Sequence, residues 1–265
     1  ITSDECPFCG LAIVAQEKSS KAIKPRSLLP FKVKKKQALK KWREWVDDLW
    51  FAPNDLKQRS AVEDRLQGTY VPYWTYDCDV LSVYSGQRGD AYYVTETYYV
   101  TVDGKRQSRT RQVRKIRWTR VSGRVWNTFD DILVRATNSL PAQIIGELEP
   151  WDLANLKKYK AAYLSGFRAQ TYDVDLAAGF EVAKREMVDP IRRSIRRDIG
   201  GDEQRIDSQS DQRSNIKFKH LLLPIWISTY RYKGKVYRFV INGRTGEVQG
   251  ERPYSMLKII LAILG

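Results

Sequence analysis

Tyr70-Val71-Pro72-Tyr73-Trp74-Thr75-Tyr76 is the stretch on which the fold turns. Aromatic and β-branched residues fill all but one of its positions, the composition of a pleated strand packed on a core. Downstream, Tyr92 to Val102 reads as a further strand and Asp103-Gly104 as the tight turn of a hairpin. Gln112 to Val121 and Arg124 to Val134 flank Ser122-Gly123, which predicts a second hairpin. Upstream, Leu28-Leu29-Pro30-Phe31-Lys32-Val33 reads as an apolar entry strand. A helix is predicted over roughly Lys34 to Trp50, with Ala38, Trp42, Trp45 and Leu49 on one face and Lys35, Lys36, Lys40, Lys41 and Arg43 on the other.

The same programme recurs later in the chain. Phe31-x-Val33 matches Tyr172-x-Val174, Val71-Pro72-x-Trp74 matches Leu223-Pro224-x-Trp226, and Val102-Asp103-Gly104 matches Ile241-Asn242-Gly243. A helix between them carries Leu176, Phe180, Ala183, Met187, Ile191 and Ile195 on one stripe. Preserved order with variable loops predicts a duplicated unit, against the alternative of coincidence among common hairpin signals. The expected fold class is α+β: antiparallel sheets with packed amphipathic helices in two duplicated strand-helix-strands units. The expected divisions are half a zinc ribbon at 1–15, a linker at 16–27, a first unit at 28–138, a helical connection at 139–170, a second unit at 171–252 and the start of a membrane anchor at 253–265.

The two ends carry separate signals. Cys6-Pro7-Phe8-Cys9-Gly10 supplies two thiolates at the spacing of half a tetrahedral zinc site, so zinc is the expected cofactor of the intact ribbon. The remaining cysteine, Cys78, is distant, and three cysteines are too few for a disulfide framework. At the other end the chain enters an apolar run from Met256, shorter than the roughly 20 residues a spanning helix needs. A buried terminal helix and a membrane anchor both fit. Arg252, Tyr254 and Lys258 resemble a cytoplasmic membrane boundary, which favours the anchor, a start of a transmembrane helix.

Composition narrows the chemistry. The formal charge of +15 and a pI near 9.7 attract anions, whether phospholipid, nucleic acid or acidic protein. A single histidine, His220, removes most acid–base triads and reads as structural. No Gly-x-x-x-x-Gly-Lys-Ser/Thr string occurs, so nothing cradles nucleotide phosphates in the manner of a P-loop. Asp77 with Asp79, and Asp130-Asp131, are acidic pairs that suit hydrolysis or metal binding, yet in this Arg-rich chain they answer arginines or solvate an edge. Cys78, between Asp77 and Asp79, reads as packing because flanking carboxylates raise a thiol's pKa. The basic residues are more pointed. Nine Lys or Arg lie between Lys105 and Arg124, among them Arg109, Arg111, Arg114, Lys115 and Arg117, with Trp118 interleaved. Arg192, Arg193, Arg196 and Arg197 form two columns opposite the apolar stripe of the second helix. Both sets suit phosphate or anionic-lipid contact, and both also suit a plain solvated face.

Leu28-Leu29-Pro30-Phe31, Leu49-Trp50-Phe51-Ala52-Pro53-Asn54-Asp55-Leu56, Tyr70 to Asp77, Arg88-Gly89-Asp90-Ala91-Tyr92-Tyr93-Val94-Thr95, Asp198-Ile199-Gly200-Gly201-Asp202 and Phe239 through Tyr254 resemble a bacterial family of zinc-ribbon membrane proteins. Its members are often labelled primosomal protein N′ or helicase-like, and they are associated with SPFH (flotillin-like) proteins. The resemblance implies N-terminal zinc ribbons, a central region and a hydrophobic tail, with this chain beginning inside the last ribbon. It also implies membrane-protein partners, possible SPFH partners among them, and the bacterial inner (cytoplasmic) membrane, with the main body on the cytoplasmic side. The expected function is a non-enzymatic, membrane-tethered scaffold or adaptor that also meets an anionic phospholipid surface. The alternative is a membrane-tethered nucleic-acid binder using the basic hairpin and ribbon, and a hydrolase using Asp77, Asp79 or Asp130 is a weaker third.

Overall fold

The computed structural model describes residues 23–53, 65–140 and 146–256, together with Ile144, Lys258 and Ala262. In chain order the elements are β1 (Ser27–Leu28), α1 (Lys35–Asp48), β2 (Gln67–Val102), β3 (Lys105–Arg135), β4 (Lys157–Lys158), β5 (Arg168–Ala169), α2 (Leu176–Ile199), β6 (Glu203–Tyr232), β7 (Lys235–Asn242) and β8 (Val248–Gly250). Short 3-10 turns at Leu153–Asn155 and Ala161–Leu164 carry the chain between β3 and α2. The residues divide into two compact units. One takes residues up to Thr75, Leu133–Gly179 and from Lys219 onward; the other takes Tyr76–Ile132 and Phe180–Phe218.

In the first unit the sheet is mixed. β1 runs parallel to β6 through Ser27↔Leu221 and antiparallel to β4 through Ser27↔Lys158, while β5 runs parallel to β2. β6 and β7 form an antiparallel hairpin from Ile225↔Asn242 to Tyr232↔Lys235, and β8 pairs with β7. Helix α1 forms because Ala38, Leu39, Trp42 and Val46 share one face, which is buried against Trp226, Tyr230 and Phe239. Beside it Phe31 stacks on Phe167 at 4.1 Å and meets Tyr70 and Trp226 edge-on at 5.2 Å each. Trp74 is fully buried, and its indole N–H donates to the Val174 carbonyl at 2.9 Å. Arg244 fastens three segments together: it bonds both Asp152 carboxylate oxygens and donates to the Pro30 carbonyl at 3.1 Å. The guanidinium beside Asp152 holds that carboxyl below its ordinary range.

The lone histidine belongs to this core. His220 is 5% exposed, lies 4.9 Å from the Trp74 ring, and sits with Nδ1 2.7 Å from the Ile23 carbonyl oxygen, so Nδ1 carries the proton and donates. Burial pushes its pKa down, against a smaller upward pull from the Ile23 carbonyl. The unfolded chain therefore takes up a proton below about pH 6.5 that the folded chain refuses. Stability rises with pH wherever the unfolded state binds more protons, so it falls as pH drops from about 7 toward 5.5. Urea unfolding of wild type and His220→Phe across that window checks this. Wild type loses about 1 kcal/mol per pH unit at most, and the variant's curve is flat. An equally sloped variant curve would remove His220 as the cause.

The second unit is built on a clean alternation. Along β2, Tyr76, Cys78, Val80, Ser82, Tyr84 and Gly86 are buried while Asp77, Asp79, Leu81, Val83, Ser85 and Gln87 are half-buried or exposed. The buried row meets the stripe Ala183, Met187, Ile191, Ile195 and Ile199 of α2. Tyr76 packs on Phe180 at 5.3 Å, the Cys78 thiol lies 3.6 Å from the Met187 sulfur, and the Tyr84 hydroxyl donates to Asp198 at 2.7 Å. Burial raises the Cys78 pKa, and the thiol packs in the core against Met187.

Three expectations are corrected. The sheet is mixed and strand-dominated, with two long helices among the described residues, rather than antiparallel sheets with packed amphipathic helices. The matched stretches around Trp74 and Trp226 lie on β2 and β6 of a single sheet. The hairpin expected at Ser122-Gly123 is absent: β3 runs through it unbroken, and Gly123 serves close approach instead. A Cβ there would lie 2.7 Å from the Tyr84 hydroxyl and 2.8 Å from an Asp198 oxygen. Finally, the membrane anchor and inner-membrane localisation are not supported, since no helix among the described residues is long and apolar enough to cross a membrane. Of the supposed boundary residues, Lys258 donates to the Ala52 carbonyl at 2.8 Å, and the Arg252 guanidinium lies 5.5 Å from the Tyr254 ring centroid. Ser255 N–H donates to the Phe51 carbonyl, so this segment docks beyond the end of α1. Positions 257, 259–261 and 263–265 lie outside the described residues, as do Cys6, Cys9 and the half zinc ribbon they were expected to form.

Candidate anion-binding ribbon

Asp103 and Gly104 both have positive φ, 49° and 72°, the backbone of a type I′ turn whose twist matches the flanking strands. No atom lies within 4 Å of a Cβ built on Gly104, so glycine is needed there for its conformation and not for space. The turn joins β2 to β3 antiparallel and fixes the register. The third strand of this unit, β6, begins only at Glu203, close to Gly89: Asp202 N–H donates to the Gly89 carbonyl at 2.8 Å, and Ala91 N–H donates to the Asp202 carboxylate at 2.7 Å. Outboard of Ala91, β2 therefore has β3 as its one neighbour among the described strands. The result is a two-stranded ribbon.

Neither face of this ribbon is apolar and covered. Tyr93 and Tyr99 on one face are 66% and 58% exposed, and Tyr92 and Tyr98 on the other are 39% and 38% exposed. The turn sets Val102 opposite Lys105 and so Ala91 opposite Ile116, and over this arm, 91–116, there are six Lys or Arg against two acids, Glu96 and Asp103; Arg117, Arg120 and Arg124 follow inboard of it. Glu96 receives Lys115 at 3.1 Å and Arg111 at 3.3 Å, and these two hold its carboxyl below the usual range. Arg114 pairs with Glu203 at 2.9 Å. Lys105, Arg106, Arg109, Arg117, Arg120 and Arg124 have no carboxylate partner among the described residues. Two of these guanidiniums lie over tyrosine rings, Arg106 on Tyr99 at 4.1 Å and Arg117 on Tyr92 at 5.3 Å, and Arg111, besides its pairing with Glu96, lies over Tyr98 at 5.7 Å. Stacking uses the flat face of the guanidinium and leaves its in-plane N–H donors free for a phosphate or carboxylate.

The other expected anion contacts lie apart from the ribbon. Arg192, Arg193, Arg196 and Arg197 are all exposed on α2. Arg192 and Arg196 line an open hollow of about 280 Å³ with Gln204, Ile206, Asp207, Ser208 and Gln209. Arg196 and Arg197 occupy the last turn, where cations offset the helix dipole without any ligand.

The acidic residues regroup. Asp79 accepts from Thr128 and Asn215 at 2.9 and 2.8 Å, which lowers its pKa, and it stands outside the cluster that forms. That cluster is Asp77, Asp130 and Asp131, with one oxygen of each within 4.8 Å of the others. Asp131 sits inside β3 at φ 52°, and its N–H donates to Asp77 at 2.9 Å. Three carboxylates suit a hard cation, and exposed acids also cluster without one. The exposed tyrosines were missed in the sequence, although a signal existed: Arg and Lys occupy both odd and even positions of 105–116, so neither strand face there can be a core face.

Fold and ribbon together define a mixed-sheet protein bearing a cationic two-stranded arm. No family model matches the chain, neither a zinc-ribbon nor an SPFH-associated one, and no solved structure matches it. The chain is similar to the uncharacterized protein YdjG of Bacillus subtilis (strain 168), with 25% identity over 259 residues covering 94% of this chain and 70% of that protein.

Proposed function

We propose that the protein is a non-catalytic scaffold or adaptor that engages a polyanionic partner through the β2–β3 ribbon. The observation that carries this reading is the excess of six cations over two acids on a ribbon with no covered apolar face. A solvated arm of this length gains nothing from core burial, so its side chains serve contact rather than folding. Its tyrosines add large flat area at low entropy cost, and its stacked arginines are held with donors outward. Binding rather than turnover is further supported by the fate of the proton-transfer candidates: His220 is locked in the core, and Cys78 is a buried neutral thiol.

Retention on a heparin matrix under a salt gradient tests the reading. Neutralising Lys105, Arg106, Arg109 and Arg114 to Gln removes four ribbon charges. A matched variant with Arg192, Arg193, Arg196 and Arg197 changed to Gln removes the same charge from α2. The ribbon variant elutes at clearly lower salt than the helix variant, each lost phosphate-like contact reducing the salt dependence by about 1. Equal shifts would mean that only net charge matters and would sink the ribbon as the binding element.

A further inference from the structure

We infer that the polyanion is double-stranded DNA, with the ribbon lying in its major groove. The inference rests on the ribbon reading above and narrows it to one ligand class. Its carrying observation is that the binding groups stand on both faces of the arm. Strand alternation puts Tyr92 and Tyr98, with Arg117 and Arg111 stacked on them, on one face, and Tyr99 with Arg106 on the opposite face. Arg109 shares the first face and Arg114 the second, and both are exposed. A planar surface such as a bilayer meets one face at a time and leaves the other set idle. A groove is flanked by phosphates on two sides, so both faces are used at once.

The dimensions agree. The eleven residues from Tyr92 to Val102 extend roughly 35 Å at the rise of a strand. Two strands about 4.8 Å apart, with side chains, match a B-form major groove about 12 Å wide. That groove admits a two-stranded ribbon, whereas the A-form major groove of duplex RNA is deep and too narrow for side-chain entry. The chemistry agrees as well. Guanidiniums stacked on tyrosine keep their forked donors in plane, the geometry that bonds phosphate oxygens or the O6 and N7 of guanine. Glu96, the one acid within the strands of the arm, is already occupied by Arg111 and Lys115, which limits its repulsion of phosphate.

Fluorescence anisotropy with a labelled DNA duplex three helical turns long, and with its single strand, tests the inference on the full chain. Two variants divide the arm by face: Lys105→Ala with Arg109→Ala, and Arg106→Ala with Arg114→Ala. Groove binding requires that each pair weakens duplex affinity and lowers the slope of log K against log salt by about 2. Unchanged circular dichroism melts show that these exposed changes leave the fold intact. Loss confined to one pair would overturn the groove, and so would single-strand binding as tight as duplex binding. Capture by vesicles of phosphatidylcholine and phosphatidylglycerol, with no duplex binding, would overturn DNA while leaving the polyanion reading standing. Failure to bind heparin, vesicles and DNA alike would instead end the reading on which this one rests.

Discussion

Trp74→Ala lowers the unfolding free energy by about 4 kcal/mol, the largest effect expected of any single truncation here. The indole is fully buried, packs 5.0 Å from the Tyr172 ring and 4.9 Å from the His220 ring, and fills its hydrogen bond to the Val174 carbonyl. Removing it leaves a cavity that a sheet interior cannot collapse and strands that carbonyl without its donor. Trp74→Phe keeps most of the volume but drops the N–H, and loses about 2 kcal/mol. Urea denaturation followed by circular dichroism measures both. A loss below about 1 kcal/mol for the alanine variant would show that Trp74 does not hold its surroundings together.

Gly86→Ala is the second large effect, about 3 kcal/mol of destabilisation, and its sign is the informative part. Local propensity argues the other way, since glycine inside a strand is worse than alanine by roughly 0.5–1 kcal/mol. A Cβ at Gly86, however, would stand 2.3 Å from the backbone carbonyl oxygen of Arg205 on β6. A backbone atom cannot rotate aside, so two paired strands must separate locally. Gly104→Ala is the contrast. Open space surrounds that position, and its loss comes from positive φ alone, about 1 kcal/mol. If Gly86→Ala instead proves stabilising in thermal and urea unfolding, the tight approach of β2 and β6 at this point is wrong.

The exposed charges also explain how a long outer strand stays unpaired. β3 lies at one end of the sheet order, and such an edge invites pairing with another chain. Arg109, Arg111, Arg114, Lys115, Arg117, Arg120 and Arg124 repel a second copy of themselves, which serves the same end as shielding the edge. Solvation of the edge and recognition of a polyanion use the same residues. The paired ribbon and helix variants separate them, because edge protection alone predicts self-association on neutralisation and no preference for a ligand.

Local order was written in the chain itself. The spacing of Ala183, Met187, Ile191 and Ile195 commits one stripe of α2 to burial, because a helix repeats every 3.6 residues whatever surrounds it. Asp103-Gly104 dictates its own turn, since only such residues take two consecutive positive φ angles cheaply. The density of cations in β3 and the structural role of His220 follow from residue type alone. The tertiary structure decided what local rules leave open. Ser122-Gly123 looks like a turn until Tyr84 and Asp198 are seen to occupy the place of a side chain. Trp74 and Trp226 look like counterparts in two repeats, and only the tertiary structure shows that both sit on strands of one mixed sheet. Which strands pair, in which direction and over what length depends on residues more than a hundred positions apart, as with Ser27 beside Leu221. Periodicity records which side of an element is buried, but never against what. That is why the sequence by itself determined the elements and their faces, and only the tertiary structure determined the sheet and the ribbon that extends from it.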